Sequence, residues 1–231
     1  MIEEIVRFRD IISTQDTAKK FIHRHQEIAV TARSQRRGRG RHGRQWASPV
    51  GGLYVSLLLF PKDRGSLIPF LASLTIVRLL EFHGLKGITI HWPNDVLLNQ
   101  KKVCGILCEQ CKDSIVCGIG LNVNNSEFPS HLINVTSMTE ESGEEYDLDE
   151  MLARLIRIFN PLYQELLEQG LKVSEAQNYV TGLGEAVEVV TKSERFTATI
   201  CDINDDWSLL VRDAHGVSRT LYYGEVRRLL W

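Results

Sequence analysis

The pattern of hydrophobic and polar residues changes near residue 182. Before this point, continuous apolar runs of strand length alternate with longer segments of helical periodicity. After it, the runs become short and alternate between apolar and polar positions. The change predicts an α/β (α+β) domain over residues 1–182, with a mixed sheet and helices on its face, followed by a small all-β barrel over residues 183–231.

The first part begins with a predicted helix and two predicted strands. Ser13 or Thr14 is a candidate N-cap for a short amphipathic helix. The apolar runs IAVTA (28–32) and GGLYVSLLLF (51–60) favour strands. An arginine-rich segment therefore joins two pieces of sheet.

Two longer helices and three more strand regions complete the first part. Residues 67–84 form an apolar segment with Pro69 near its start and Gly84 at its end, which predicts a largely buried helix. The runs GITIHW, DVLLN with KKVCGILCEQ, and SIVCGIGLNVN predict strands. A second long helix is predicted from Asp147 to Gln169, with an acidic first turn and a kink at Pro161. The barrel strands are predicted at AVEVV, FTATICDI, SLLVRD and TLYYGEV.

Charge is unevenly distributed along the chain. The formal net charge of the 231 residues is −2, yet residues 28–62 contain seven Lys or Arg and no acidic residue. A domain that binds duplex nucleic acid is usually basic over a broad face. Positive charge concentrated in one segment of an otherwise acidic protein favours a compact anionic ligand.

The basic segment has the composition of an anion-binding loop. Glycines at 38, 40 and 43 allow the backbone to turn, while Arg39, Arg41 and Arg44 supply charge and planar donors. A solvated or nucleic-acid-binding arm is the alternative that the run itself leaves open. Its spacing differs from both the P-loop and the dinucleotide-binding fingerprints.

Five cysteines, four of them between residues 104 and 117, raise the question of a metal cluster. Cys104, Cys108 and Cys111 have a C-x3-C-x2-C spacing, but in a strand Cys104 and Cys108 share one face and Cys111 lies on the other. We therefore expect reduced thiols without a cluster. The N-terminus carries acidic residues and no long apolar stretch, so we expect neither a signal peptide nor a membrane span, and a cytoplasmic location.

Six motifs, taken in order, resemble the biotin protein ligases. They are STQ (13–15), QRRGRGRHGRQW (35–46), GGLYVS (51–56), WPND (92–95), KKVCGILCE (101–109) and GIGLNVN (118–124). The resemblance implies a mixed-sheet catalytic domain of the biotin/lipoate ligase type and a C-terminal SH3-like barrel. It indicates a monofunctional member, because only about twelve residues precede STQ, too few for the helix-turn-helix domain of larger members.

The resemblance implies a two-step reaction. The biotin carboxylate attacks the α-phosphate of ATP to give biotinyl-5′-AMP and pyrophosphate. A lysine of the biotin carboxyl carrier domain of acetyl-CoA carboxylase, or of a related carboxylase, then attacks the adenylate. ATP, biotin and Mg²⁺ are the implied ligands, with the protein ligands of Mg²⁺ left unassigned.

The resemblance also assigns site residues. Those implied to bind biotin are Ser13, Thr14, Gln15, Gln35, Arg39, Gly40, Arg41 and His91. Those implied to bind the nucleotide are Arg44, Trp46, Asn94 and Asn122. Arg39, Arg41 and His91 are the residues implied to act in catalysis.

His91 is an important departure from the family pattern. Before WPND the family usually has a lysine that contacts the adenylate. Lysine carries a fixed charge at pH 7, whereas a histidine with an ordinary pKa of about 6.5 is shorter and mostly neutral. Three interpretations stay open: His91 acts as a protonated donor, Lys101 or Lys102 supplies the charge, or adenylation is slow. We expect reduced but real activity. Gln15, where many members have Asn, is a milder change.

Two other functions stay open at this stage. One is a lipoate- or octanoate-type acyl ligase on the same fold, and the other is a catalytically impaired module that binds biotin or nucleic acid. For partners, we expect the carrier domain and a possible homodimer, without specific DNA binding or membrane association.

Overall fold

Two large β-sheets form the framework of the fold, and a third sheet of two short strands lies in the arginine-rich loop. The structure is a computed structural model that describes residues 1–191, 193–222 and 225–228. In chain order the strands are β1 (Glu4–Ile11), β2 (Ile28–Gln35), β3 (Gly38–Arg39), β4 (Gln45–Trp46), β5 (Leu53–Leu59), β6 (Ile88–His91), β7 (Asp95–Leu98), β8 (Lys101–Cys111), β9 (Ser114–Leu121), β10 (Ala186–Val190), β11 (Arg195–Ile203), β12 (Leu209–Asp213), β13 (Ser218–Leu221) and β14 (Glu225–Arg228). The α-helices are α1 (Thr14–Lys19), α2 (Ile68–Phe82), α3 (Met138–Ser142) and α4 (Leu148–Glu168).

The larger sheet is mixed and has seven strands, in the order β1-β2-β5-β9-β8-β7-β6. Only β1 and β2 run parallel, and every other neighbouring pair is antiparallel. Helix α1 packs on one face with Leu58 and Val116, while α2 and α4 cover the other face, where Leu57 and Cys117 point. Burial on both faces explains why the central strands are continuously apolar.

Helix α2 has the most apolar sequence of the four helices because it lies inside the core. The segment Gly65–Phe82 is long and apolar enough to cross a membrane, with a mean hydropathy of 1.5. In the structure α2 packs between the larger sheet and α4, and most of its residues are fully buried. This burial accounts for its composition.

Helix α4 begins and ends as predicted. The Asp147 carboxylate accepts hydrogen bonds from the amides of Asp149 (2.8 Å) and Glu150 (3.0 Å), which caps the helix. The helix stays a single element from Leu148 to Glu168 across Pro161. Its buried side chains, Leu155 and Phe159 among them, face the core.

The C-terminal strands form a five-stranded antiparallel sheet in the order β13-β12-β11-β10-β14. The pairing among the described residues is open at β13 and β14, and Tyr223 and Gly224 of the predicted TLYYGEV strand lie outside those residues. The first strand starts just after the predicted boundary at 182/183, but both parts share one buried cluster. The division into two domains stays a prediction.

Two tryptophans hold the smaller sheet against the larger one. The Trp92 indole N–H donates to the Trp207 carbonyl (2.8 Å), and the Trp207 indole N–H donates to the Pro93 carbonyl (3.2 Å). The Trp207 ring also packs on Phe70, with centroids 4.9 Å apart. The turn between β6 and β7 is thereby fixed from both sheets.

Candidate active site

A cavity of about 390 Å³ opens on the α1 side of the larger sheet. Its walls come from α1, the end of β2, the arginine-rich loop, the β6–β7 turn, β8, β9 and the segment 128–135. Every residue assigned by the resemblance lines it except Ser13. The hydroxyl of Ser13 instead accepts from the Asp16 amide and caps α1 (3.3 Å). The roles assigned to all these residues stay predictions.

One end of the cavity is uncharged and closely hydrogen-bonded. Gln35 Oε1 accepts from both the backbone N–H (2.8 Å) and the hydroxyl (3.0 Å) of Thr14. The Gln15 amide group donates to the carbonyls of Leu107 (3.2 Å) and Val116 (2.9 Å). These bonds fix both glutamine side chains in place without a ligand. We call Thr14, Gln15, Gln35 and Ser56 the amide end.

Ser56 belongs to the amide end although the sequence analysis did not single it out. Its hydroxyl is fully buried and lies 2.9 Å from Thr14 Oγ1 and 3.0 Å from Gln15 Oε1. The signal in the sequence was a single serine inside the apolar strand β5. A buried hydroxyl needs a hydrogen-bond partner, and here it has polar neighbours on α1.

Trp46 lies flat on the sheet because two glycines face it. Gly105 and Gly120 are paired across β8 and β9. A Cβ atom at Gly105 would come within 2.7 Å of the indole ring, and one at Gly120 within 2.5 Å of Nε1. The absence of a side chain at both glycines thus lets the indole approach the backbone closely. The Trp46 indole N–H is buried and has no hydrogen-bond partner among the described residues.

The opposite end is rich in cations that already have carboxylate partners. Arg39 donates to Asp16 Oδ1 (2.6 Å) and Glu109 Oε1 (2.7 Å). The hydrogen bond to Asp16 raises the pKa of Arg39 further above its usual value. Lys19 also pairs with Glu109, at 3.1 Å. A ligand that binds Arg39 must compete with these carboxylates.

A second group of side chains at this end forms a chain of contacts that begins at Arg41 and ends at the Trp46 ring. Arg41 donates to Asn94 Oδ1 (2.5 Å), and the Asn94 amide donates to Asp95 Oδ1 (2.9 Å). Lys102 Nζ donates to the other oxygen of Asp95 (2.6 Å) and lies 5.4 Å from the centroid of the Trp46 ring. Burial lowers the pKa of Arg41, since the charged form loses hydration. We call Arg39, Arg41, Arg44 and Lys102 the cationic end.

His91 faces the smaller sheet. Its Nε2 lies 2.8 Å from the Val226 carbonyl, and its Nδ1 lies 3.4 Å from Thr181 Oγ1. Because a carbonyl only accepts, Nε2 carries the proton of this hydrogen bond. The ring lines the cavity while both of its nitrogens contact other parts of the chain.

An apolar segment that the sequence analysis did not recognise covers one side of the cavity. Phe128, Leu132 and Val135 line it, although they lie in a segment without regular structure. The Lys102 amide donates to Asn134 O (2.7 Å) and the Lys102 carbonyl accepts from the Thr136 amide (3.0 Å), which fixes the end of this segment to β8. Three apolar residues in a polar loop were the available signal.

The cysteines lie apart from this chemistry. Cys104 and Cys108 belong to the cluster on the α2 face and Cys111 contacts the cluster on the α1 face, as the strand periodicity predicted. No group of three or more residues able to hold a metal ion occurs in the part of the chain that the structure describes. Burial raises the pKa of Cys104, and a hydrogen bond between the Cys108 thiol and Cys117 raises the pKa of Cys108.

A family model and the similar proteins found by comparison indicate the same family. Residues 8–124, which include all six motifs, match the Biotin/lipoate A/B protein ligase family. A bifunctional ligase/repressor BirA of Bacillus spizizenii is 30% identical over 229 residues, covering 92% of this chain and 70% of that protein. The chain belongs to the biotin/lipoate A/B protein ligase family.

A solved structure and a further sequence relative support the same fold and family. A biotin protein ligase from Aquifex aeolicus in complex with biotin and ATP has a TM-score of 0.86 and 28% identity, covering 98% of this chain and all of that one. A biotin--[acetyl-CoA-carboxylase] ligase of Paracoccus denitrificans is 34% identical over 147 residues, covering 56% of this chain and 60% of that protein. The resemblance inferred from the motifs and the mixed α/β fold class are thereby confirmed.

Proposed function

We propose that this protein is an ATP-dependent biotin protein ligase. It condenses biotin with ATP to biotinyl-5′-AMP and pyrophosphate, and then transfers biotin to a lysine of a carrier domain. One observation carries the proposal: a single cavity joins the uncharged amide end to the cationic end. Biotin has an uncharged, hydrogen-bonding ureido ring, an apolar chain and a carboxylate, in that order.

The amide end suits the biotin ring. The ring offers N–H donors and a carbonyl acceptor, and the amide end presents hydroxyl and amide groups that are already oriented. Gly118 faces Gln15, and a Cβ atom there would come within 2.5 Å of Gln15 Oε1. The lack of charge excludes the nucleotide phosphates from this end and directs them to the other.

The cationic end suits the adenylation step. An oxygen of the biotin carboxylate bonds to the α-phosphorus of ATP, and the bond from this phosphorus to the oxygen bridging the β-phosphorus breaks, with its electron pair leaving on pyrophosphate. Arg39 and Arg41 bind and orient the anionic oxygens, so that charge develops next to fixed cations. Trp46 supplies a flat apolar surface for the base, with Arg44 and Asn122 beside it.

In this proposal Mg²⁺ binds together with ATP. Asp95 is the only carboxylate among the described residues that line the cavity. Mg²⁺ is commonly held by one or two carboxylates together with substrate phosphates. We therefore expect the phosphates to provide most of its ligands and Asp95 at most one.

The protein that receives biotin is the partner still to be assigned. The relative from Paracoccus denitrificans is named for acetyl-CoA carboxylase. We infer that this chain also modifies the biotin carboxyl carrier domain of such a carboxylase. We propose a cytoplasmic location, because an odd number of cysteines favours reduced thiols over a disulfide framework.

ATP–pyrophosphate exchange by the purified protein, with biotin, lipoate or octanoate as the acid, tests this proposal. Exchange that requires biotin supports it. Exchange with lipoate or octanoate alone assigns the chain to the acyl-ligase alternative. Thermal stabilisation by biotin without any exchange identifies the impaired binding module.

The pH profile of the same assay tests the role of His91. Between pH 5.5 and 8.5, a protonated histidine that assists the phosphate predicts exchange that falls as pH rises, and a His91→Lys variant without that fall. Equal profiles for both proteins indicate that His91 acts through its contact with Val226. The hydrogen bonds of both ring nitrogens favour this second outcome.

A further inference from the structure

The turn between β6 and β7 carries Asn94 to the cationic end of the cavity, and what is inferred from it rests on the proposed ligase function. Asn94 Oδ1 accepts a hydrogen bond from Arg41 (2.5 Å), and the Asn94 amide group donates to the Ile106 carbonyl (3.1 Å). The Asn94 carbonyl also accepts from the Ile106 amide (2.9 Å). These bonds tie one side of the turn to β8.

The other side of the turn is attached to the smaller sheet, chiefly through Trp207. The Trp207 indole N–H donates to the Pro93 carbonyl (3.2 Å), and the Trp207 carbonyl accepts from the Trp92 indole N–H (2.8 Å). Trp207 is 4% exposed and Trp92 is 3% exposed. His91 Nε2 adds a third bond, to the Val226 carbonyl (2.8 Å). Hydrogen bonds of opposite direction between the same two segments fix both the distance and the orientation of the turn.

Trp207 occupies its place with a strained backbone. It lies in the hairpin loop 204–208, where its amide donates to the Asn204 carbonyl (2.9 Å) and closes a turn. Its φ of +67° is in the left-handed region, which favours glycine and costs free energy for an aromatic residue. Such conformations persist where surrounding contacts compensate, often at functional sites. The contacts that compensate here lie outside the hairpin, on Phe70 of α2 (4.9 Å between ring centroids) and on the β6–β7 turn.

Trp207 acts through other residues, because it does not line the cavity. Trp92 and Asn94 do line it. Trp207 holds the carbonyl of Pro93, Asn94 is the next residue, and the Asn94 side chain contacts Arg41. A misplacement of about 1 Å caused far from the reacting atoms can slow a reaction by about 100-fold. A shift of Trp207 would therefore reach Arg41 by way of the turn.

We propose that Trp207 is a positioning residue for the adenylation step. Its indole sets the place of Pro93, so that Asn94 faces Arg41 and keeps the guanidinium directed at the phosphates. The smaller sheet therefore takes part in the first half-reaction, before any carrier domain binds.

Two variants of Trp207 test the assignment in biotin-dependent ATP–pyrophosphate exchange, measured well below the lowest Tm. Trp207→Phe keeps a ring beside Phe70 and the backbone bond to Trp92, but it removes the N–H that holds Pro93. We expect kcat to fall by about five-fold, the typical contribution of one hydrogen bond, with the KM for biotin unchanged. Trp207→Leu also loses the ring and should lower kcat by about 10- to 100-fold.

Ser208→Ala is the matched control, at the next residue of the same hairpin. The Ser208 hydroxyl accepts from the Asn204 side-chain amide (2.9 Å) and donates to Asp206, so its bonds stay within the hairpin. The control should lower Tm while kcat stays within about two-fold of the parent. Trp207→Phe carries the test by itself if Trp207→Leu does not fold.

The double variant Trp207→Phe with Asn94→Ala separates positioning from support of the fold. If Trp207 acts through Asn94, its substitution has no further effect on kcat once the Asn94 side chain is absent. An effect of the same size in both backgrounds overturns the assignment. So does a kcat within about two-fold of the parent in both Trp207 variants, since Trp207 would then only join the two sheets.

Hydrogen–deuterium exchange of the turn keeps this test independent of the ligase proposal. A parent protein without biotin-dependent ATP–pyrophosphate exchange refutes the proposed function, yet the amides of residues 91–96 still report on the turn. Faster deuterium uptake there in Trp207→Phe than in Ser208→Ala supports the positioning role. Equal uptake in the two variants refutes it.

Discussion

The two ends of the cavity are held by different forces. At the amide end, Gln15 is buried and Gln35 is partly buried, and both are uncharged and form hydrogen bonds within the protein. At the cationic end, Arg39 and Lys102 are partly exposed and form ion pairs with carboxylates. The first end is held by neutral hydrogen bonds within the protein, whereas a ligand at the second end competes with carboxylates for the cations. The two ends should therefore respond differently to substitution and to salt.

The largest expected effect is at Arg41. Arg41→Met removes a partly buried guanidinium and leaves Asn94 Oδ1 without its donor. Biotin-dependent exchange should fall by about 10²–10³-fold in kcat, because a fixed charge at the reacting phosphate is lost. The KM for biotin, which reports on the amide end, should change little.

Arg36→Met is a suitable control for this variant. Arg36 pairs with Asp10 (3.4 Å) on the surface and does not line the cavity. The control should retain activity within about two-fold, as exposed ion pairs contribute little. A similar loss in both variants would show that the effect comes from the stability of the loop.

A smaller effect is expected at Thr14. Thr14→Val removes a hydroxyl that donates to Gln35 and accepts from Ser56, while Gln35 Oε1 keeps the Thr14 backbone N–H. One such hydrogen bond contributes about 0.5–1.5 kcal/mol, so biotin affinity measured by titration calorimetry should drop by up to about 10-fold. Affinity for ATP should remain unchanged, and Thr17→Val, on the same helix but outside the cavity, should leave both affinities unaltered.

Gly120→Ala should affect the nucleotide and spare biotin. The new methyl group would lie within 2.5 Å of Trp46 Nε1, so the indole must move off the sheet. We expect the KM for ATP to rise by about five-fold, or about 1 kcal/mol. In a Trp46→Leu background the glycine substitution should have no further effect on that KM, and an undiminished effect would show that the glycine matters for another reason.

The smallest expected effect is that of salt, which should change the KM for ATP more than the KM for biotin. Raising the ionic strength shortens the Debye length from about 10 Å at 0.1 M to about 3 Å at 1 M, which weakens interactions of exposed charges. The KM for ATP should rise by about three-fold over this range, while the KM for biotin stays nearly constant. Equal changes in both would contradict the division of the cavity into two ends.

Much of the fold follows from local patterns in the sequence. The buried helix α2, the capped helix α4 and most strands of both sheets were predicted from periodicity and from their bounding residues, whereas β1 was not predicted and the run TLYYGEV contributes to two strands, β13 and β14, rather than one. The separation of Cys104 and Cys108 from Cys111 followed from the two-residue period of a strand. The motifs also predicted that the arginine loop and the β6–β7 turn would come together.

The placement of Lys102 in the cavity wall and of Lys101 outside it could not be predicted in this way. The register between β7 and β8 shifts between Val96 and Leu97, so one extra residue separates the lysines from the regular part of the ladder. Such a bulge changes which side chain faces which side, and no local pattern revealed it. The contact of His91 with Val226 depends on residues 135 positions apart and had no signal in the sequence.

The tryptophan bonds between the sheets have a consequence for how the protein is made. The turn at Trp92 and Pro93 is secured by Trp207, which leaves the ribosome more than a hundred residues later. Contacts of such high sequence separation form late, since a long loop must close first. The nascent chain therefore displays its arginine loop before the neighbouring turn is secured, and the cavity is completed only when β14 contributes Val226 to its wall.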